Sequence, residues 1–413
     1  MDEPDQFLPR ASWLIAHIRC PEIATMGERN GGRSLRYLRG HGLLFLILAG
    51  SCLPRPAAAA TINVPAGQPT VSAAVNAAAN GDTILIAPGV HNGGAFVNNK
   101  SLMIASRFIL TGDTSFVAQT VLNGVVGTVC GGAAGCQGNS VLEFGSNAHG
   151  SAVVGLTLTN GENGVGSTSI VDISRCRVIS NGDGLDYVAG SGGTFSNNLF
   201  EGNTDDGIDL NGRMNVTIIN NVIRNNGDDG IEFRLFDFAG PAVVIDIAGN
   251  SITGNGEDGI QIIDYPAVSG YTIHMERNVF MSNFDVSGSS AAIGCMPNGD
   301  TNESLVGAPV PERMYVINNT FVGEKNGLVG GANVIALNNV FVGTTGWAER
   351  RVGGSSISSY TMFWNNAIDY QESVVDAPHM LTANPALGAT GALAAGSPAI
   401  DAGTALYQWM GAT

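Results

Sequence analysis

Apolar residues along this chain come in short alternating runs broken by Asn, Gly and Asp, and helical spacing shows clearly only near residues 70–79. The plainest runs lie at 180–263, where one phrase returns four times as GDGLDY, DDGIDL, DDGIEF and EDGIQI. Its glycines, Gly184, Gly207, Gly230 and Gly259, are spaced 23, 23 and 29 residues apart, a fixed period with one insertion. A second phrase keeps step with it: NNLFEGN, NNVIRNN, GNSITGN and RNVFMSN end on Asn203, Asn226, Asn255 and Asn283. A unit of this length, filled with β-branched triplets and turn residues, has no room for a helix of more than two turns, so it is strands and turns. In DGIDL, Ile208 and Leu210 share one parity and Asp209 the other, which predicts a strand that buries one face. Such a strand cannot bury its apolar side alone. Coils of them stacked about 4.8 Å apart share a core, and each coil's turn asparagine can then bond to the next.

The rest of the chain fits the same scheme. TVSAAVNAAA reads as a short helix with a Thr start, followed by the strand TILIAPG, and it would cover the open end of the first coil. KSLMIAS, TVLNG, SVLEFG, SAVVGLTLTNG and STSIVDISRCRVISN read as coils before the fourfold block. YTIHMERNVF, MYVINNTF and NVIALNNVF read as coils after it, and TMFWNN at 361–366 as the last clear one. Loops are expected at 125–140 and at about 295–311. Taken together, the phrases resemble the parallel β-helix repeats of the pectin-lyase-like superfamily, and GSPAIDAG near the end resembles the tail found after bacterial β-helices. The resemblance implies an all-β, right-handed parallel β-helix with a short N-terminal capping helix.

An arginine-bearing run (Arg29, Arg33, Arg36, Arg39) leads into GLLFLILAG and PRPAAAA, so residues 1–60 are expected to be an N-terminal extension and secretory signal cut after Ala60. Its apolar stretch is too short to span a membrane. Met26 gives a more ordinary signal length than Met1, and Cys52 leaves a lipid anchor as the lesser alternative. Residues 61–413 are then the β-helix domain, expected as a monomer, secreted or at the cell surface, with no transmembrane segment. Without residues 1–60 the 19 basic and 35 acidic residues fall to 12 and 30, a net charge of −18, which argues against nucleic acid as a partner. Such a surface also repels a polyanion unless a cation such as Ca²⁺ stands between. Cys130 and Cys136 could close a small disulfide, Cys176 reads as a core thiol in a turn-Asn position, and Cys295 has no assignable partner.

Candidate chemistry concentrates on the DG block. Outward parity stacks Asp186, Asp209, Glu232 and Gln261, with Arg234 on the same face, while Asp183, Asp206, Asp229 and Asp258 form a column at the preceding turn, thickened by Asp205, Asp228 and Glu257. Asp-Gly is ordinary turn chemistry, Asp bonding local N–H groups and Gly taking positive φ, so the turn column reads first as structural. Acids inside a strand have no such reason. NTDDGIDL followed one coil later by GDDGIEF resembles the family-28 glycosidases, and this implies catalytic carboxylates at Asp206 (or Asp205), Asp228 and Asp229. Gly230 stands where that family has Cys, Gly254-Asn255-Gly256 replaces Gly-His-Gly, and no Arg-Ile-Lys follows, which argues against an ordinary polygalacturonase. In the other reading Asp186, Asp209 and Glu232 hold Ca²⁺, which binds a uronate carboxylate, and Arg234 accepts the C5 proton as in lyases and epimerases of the superfamily. Lys100 and Lys325 are both far from this block, and His149 and His274 read as isolated surface or turn residues. Tyr187, Phe233, Phe236 and Tyr265 flank the acids; Phe233 has core parity and Tyr265 could stack on a sugar. The function expected is binding and processing of an extracellular polysaccharide by a lyase, epimerase or hydrolase, the alternative being a non-catalytic adhesin-like solenoid.

Overall fold

The computed structural model describes residues 59–124, 138–236, 240–265, 270–284, 288–300 and 307–404. Apart from Ala59 and Ala60, the expected leader falls outside them, as does the expected Cys130–Cys136 disulfide. Three sheets, one of twelve strands and two of eleven, carry the described chain, and every strand pairing in them is parallel. Each coil, or rung, supplies one strand to each sheet. One rung runs Ile208–Asn211, Asn215–Ile219 and Val222–Arg224, and the next begins at Ile231–Arg234. This is the right-handed parallel β-helix that the repeat phrases imply. We call the sheet of the DG strands the site sheet, the twelve-stranded one the long sheet and the other the third sheet.

Two corners of the rung are turned by a residue in the left-handed region, Asn or Gly in most rungs: Asn197, Asn220 and Gly249 at one, Gly202, Asn225 and Gly254 at the other. The residue after each points inward, and it is the asparagine of the second phrase or its counterpart. One ladder runs from Asn198 through Asn221, Asn250, Asn278 and Asn319 to Asn339, each Nδ2 donating to the next Oδ1 at 3.0–3.3 Å. The other runs from Asn181 through Asn203, Asn226 and Asn255 to Asn283, at 2.8–3.2 Å, and ends on the buried carboxyl of Glu324. Cys176 occupies the position before Asn198 in the first ladder, its N–H on Asn198 Oδ1, and burial pushes its thiol up to about 11. Between the corners the core is apolar: Ile208, Leu210, Ile231, Phe233, Ile260 and Ile262 point in from the site sheet. Phe280, Phe321 and Phe341 stack with ring planes within 5° of parallel.

The helix expected at the first coil is Val71–Ala77, its N-cap Thr70 accepting the Ala73 N–H at 3.1 Å, and Val71, Ala74 and Val75 are buried. Two short helices, Phe108–Thr111 and Ser115–Gln119, lie in the second coil, where no helical period announces them. Part of the loop expected from residue 295 is instead a strand, Ile293–Met296, whose small residues hide its alternation. Cys295 is buried there and unpaired. A further strand, Ile368–Gln371, follows the last expected coil.

The DG glycines require a correction. Gly207 does not have positive φ; a Cβ on it would stand 2.6 Å from the Gly230 carbonyl oxygen of the next rung, and Gly230 has the same relation to Gly259. Glycine is there because rungs approach too closely for a side chain, and this closeness also brings the flanking acids together.

Candidate functional site

Strand register stacks the outward acids as expected: Asp186 opposite Asp209, Asp209 opposite Glu232, and Glu232 opposite Gln261. Gly166 and Gly294 bound the column at its ends, and a Cβ on either would strike a carboxylate, that of Glu143 or of Asp258. The turn aspartates form a second column with a different task. The N–H of Asp206 donates to Asp183 Oδ1 (3.1 Å), that of Asp229 to Asp206 Oδ1 (2.9 Å), and that of Asp258 to Asp229 Oδ1 (2.7 Å). Each Asp thus caps the next rung rather than its own turn. One oxygen of each is used in this way.

Between the columns is a polar cleft of about 220 Å³ lined by Asp205, Asp206, Asp209, Asp228, Asp229, Glu232, Arg234, Glu257 and Gln261. It contains every residue expected to be catalytic. Asp206, Asp209 and Glu232 each bring one oxygen within 4.8 Å of the others. Asp186, expected among the metal ligands, accepts from the amides of Asn163 (3.2 Å) and Asn211 (3.5 Å), and Asp206 takes its place in the converging set. Neither amide was singled out from sequence, although NGVG at 163–166 occupies the DG register. Asp209 Oδ2 accepts from Asn211 Nδ2 at 2.7 Å, whereas its Oδ1 is wholly buried with no hydrogen-bond donor.

Burial and mutual repulsion raise these carboxyls. Burial pushes Asp209 up to about 8, reinforced by Glu232 and Asp186. Asp206 is raised well above its ordinary value by burial and then by Glu232 and Asp209. Burial takes Asp228 up to about 7, with a hydrogen bond that its protonated form donates to Asp205 and the charge of Glu257 adding to it, and takes Asp183 to about 7. Burial also raises Glu232, but Arg234 opposes the rise with Nε 2.7 Å from Glu232 Oε1. The same pairing raises Arg234 against its own burial cost. An arginine so held keeps its proton, so Arg234 does not fit the role of proton acceptor.

A buried, orphaned oxygen on Asp209 amid converging carboxylates meets the electrostatic requirement of a hard cation, and Asp206, Asp209 and Glu232 are the residues that would hold Ca²⁺. Among the aromatics, Tyr187 is core, edge-on to Phe195 at 4.8 Å, and Phe233 is buried as expected. Tyr265 packs on the exposed ring of Phe236 at 4.4 Å. His274 is not isolated: its Nδ1 lies 2.8 Å from Asp246 Oδ1 on the long sheet, and the sequence separation of 28 residues conceals the pair. His149 accepts the Ile170 N–H at an exposed turn. No helix among the described residues is long and apolar enough to cross a membrane.

The family described as right handed beta helix region matches residues 123–239 and 163–342, together more than half of the 413 residues. No curated protein matches in sequence. Among solved structures, a pectate lyase is 18% identical (TM-score 0.44), with 77% of this chain and 76% of that chain covered. An alginate lyase from Paenibacillus sp. is 16% identical (TM-score 0.41), covering 78% and 99%. The A-module of a mannuronan C-5 epimerase from Azotobacter vinelandii is also 16% identical (TM-score 0.38), covering 76% and 93%. None of these likenesses assigns an activity. With three parallel sheets wound around one core and more than half its length matched, the chain belongs to the right-handed β-helix family.

Proposed function

We propose that this protein is exported and that it binds and processes an extracellular polysaccharide in the acidic cleft of the site sheet. One observation carries the proposal: carboxyls from adjacent rungs are crowded into a polar cleft, where Asp209 and Asp228 are pushed up to about 8 and 7. A carboxyl that keeps its proton near neutral pH can deliver it to a glycosidic oxygen, and a neighbouring carboxylate can activate water or take a proton. Asp228, half-buried at the rim and protonated near neutral pH, is the general acid. Glu232, raised by burial with Arg234 opposing the rise, is the second carboxyl of the pair. Asp206 and Asp229 fix the rungs that carry these groups. Bound Ca²⁺ would supply neutralisation of a substrate carboxylate, and its ligands would come from Asp206, Asp209 and Glu232.

The test is a screen of residues 61–413 against pectate, alginate, polymannuronate and neutral polysaccharides, with Ca²⁺ and with chelator, following unsaturated ends and reducing ends separately. Reducing ends without unsaturation fit the paired carboxyls, and Asp228→Asn or Glu232→Gln should then abolish them while the melting temperature holds. Unsaturated ends that require Ca²⁺ would instead make the cleft a lyase. A second reading, a binding solenoid without turnover, is favoured by the rung-capping bonds of the turn aspartates. It predicts that Asp206→Ala and Asp229→Ala lower stability and that no polymer is cleaved.

A further inference from the structure

We infer that the protein has a second carbohydrate site, a pocket under its C-terminal tail that takes an uncharged sugar segment and stands on a different sheet from the acidic cleft. The tail phrase GSPAIDAG at 396–403 has no part in the cleft, yet its Ala399, Asp401, Ala402 and Gly403 line this pocket. The pocket measures about 440 Å³, against about 220 Å³ for the cleft, and falls within the roughly 300–1,000 Å³ of sites that hold small ligands. Its floor is the outer side of the third sheet, where Thr320, Val340 and Met362 stand in register on the three rungs that follow those of the cleft. The tail forms the facing wall, and it is pinned on both sides of the gap. A backbone bridge joins Leu381 to Met362 at one end. At the other, Asn338 Nδ2 donates to the Thr404 carbonyl at 3.0 Å and its Oδ1 accepts the Thr404 N–H at 2.8 Å.

The lining suits a neutral sugar. Among the described residues of the pocket Asp401 alone is charged, so a polyion finds no row of counter-charges. Val340, Met362, Leu381 and Leu393 offer apolar contact to the C–H face of a ring, while Asn318, Tyr360 and Asp401 offer donors and acceptors to its hydroxyls. Tyr360 adds an independent observation. Asn318 and Asn338 turn this corner at φ 56° and 57°, and Tyr360 turns it one rung later at 53°, a conformation harder for a ring-bearing residue than for asparagine. Its ring is braced from the tail, stacked on His379 at 4.6 Å, and His379 Nδ1 lies 2.6 Å from Asp376 Oδ2. A residue kept against its backbone preference, and held in place at a pocket, fits a ring retained for a ligand.

Calorimetric titration of the purified protein with cellohexaose, xylohexaose, mannohexaose and maltohexaose, and with hexamers of galacturonate and glucosamine, tests this. At least one neutral hexamer should bind about tenfold more tightly than either charged one, and added salt should change its affinity by less than about twofold. Ala399→Trp fills the pocket and should abolish that binding. Asp401→Asn keeps a residue suited to φ 59° while removing the one charge, and should weaken binding about fivefold at an unchanged melting temperature, so the test holds even where the larger substitution disturbs folding. Asp228→Asn, in the cleft, should leave this binding as it is. Loss in Asp228→Asn with retention in Ala399→Trp puts the sugar in the cleft and overturns the pocket. Tighter binding of a charged hexamer, or binding of no neutral one, also overturns it, and both leave the processing reading of the cleft in place.

Discussion

Asn226→Ala should destabilise the domain far more than its one small amide suggests. Asn226 Oδ1 accepts two donors from the rung before, the Asn203 N–H at 3.2 Å and Asn203 Nδ2 at 2.9 Å, and its own Nδ2 donates to Asn255 Oδ1 at 2.9 Å. Alanine keeps the backbone bond to Asn255 Oδ1 but takes the acceptor away from Asn203. One buried N–H is then orphaned, and the Asn203 amide keeps only a 3.4 Å contact with the Val178 carbonyl. At about 1–3 kcal/mol for each buried group left without a partner, the two together cost about 2–6 kcal/mol. That is a large share of the roughly 5–15 kcal/mol by which domains are usually stable. The neighbouring residue supplies the control. Asn225 turns the corner at φ 54° and Gly254 does the same one rung later, so Asn225→Gly should change stability by no more than about 0.5 kcal/mol. Urea unfolding followed by circular dichroism, with midpoint and slope compared, measures both. A cost below about 1 kcal/mol for Asn226→Ala, or equal costs for the two variants, would refute the ladder as a source of stability.

Three other outcomes follow from the same geometry. Gly207→Ala places a Cβ 2.6 Å from a backbone oxygen and should lower stability by more than about 3 kcal/mol, whereas Gly202→Ala, at φ 64° with nothing within 4 Å, should cost about 1–2 kcal/mol; thermal melts separate them. Because Asp183, Asp209 and Asp228 have folded pKa values raised from 3.8 to about 7, 8 and 7, their contribution is fully present below about pH 3.8 and is lost as pH rises through 7 to 8. The melting temperature in chelator should thus fall between pH 5 and pH 8, less steeply in Asp209→Asn; identical slopes would contradict the assignment. Ca²⁺ and protons compete for the same oxygens, so added Ca²⁺ should raise the melting temperature more at pH 8 than at pH 5, and no difference would count against a cation site at Asp206, Asp209 and Glu232.

Much of the fold was legible because a solenoid repeats its reasons. Alternation in DGIDL predicts one buried face, the 23-residue period predicts the register, and the register alone stacks Asp209 on Glu232. What stayed hidden depends on closeness between rungs, which no single coil reveals. The backbone oxygen that forbids a side chain at Gly207 belongs to residue 230, and the N–H that Asp206 caps belongs to Asp229. The same holds at the site: Asp206 joins Asp209 and Glu232 because the turn and strand columns face one cleft, while Asn163 and Asn211 draw Asp186 away. Arg234 could be placed beside Glu232 by parity, but only the 2.7 Å contact shows that it is spent as a counter-ion.

The ladders also act as a gauge of where the chain can change length. Successive asparagines of the first ladder are separated by 23, 29, 28, 41 and 20 residues, yet each side-chain bond stays within 3.0–3.3 Å. In three of these rungs the connection from the site sheet to the long sheet is the longer one, after Arg234, Ile263 and Met296. The two ladders thus keep their pitch while those connections change length. A designer wishing to alter what the acidic face accepts could graft new segments at those three places and leave both ladders untouched.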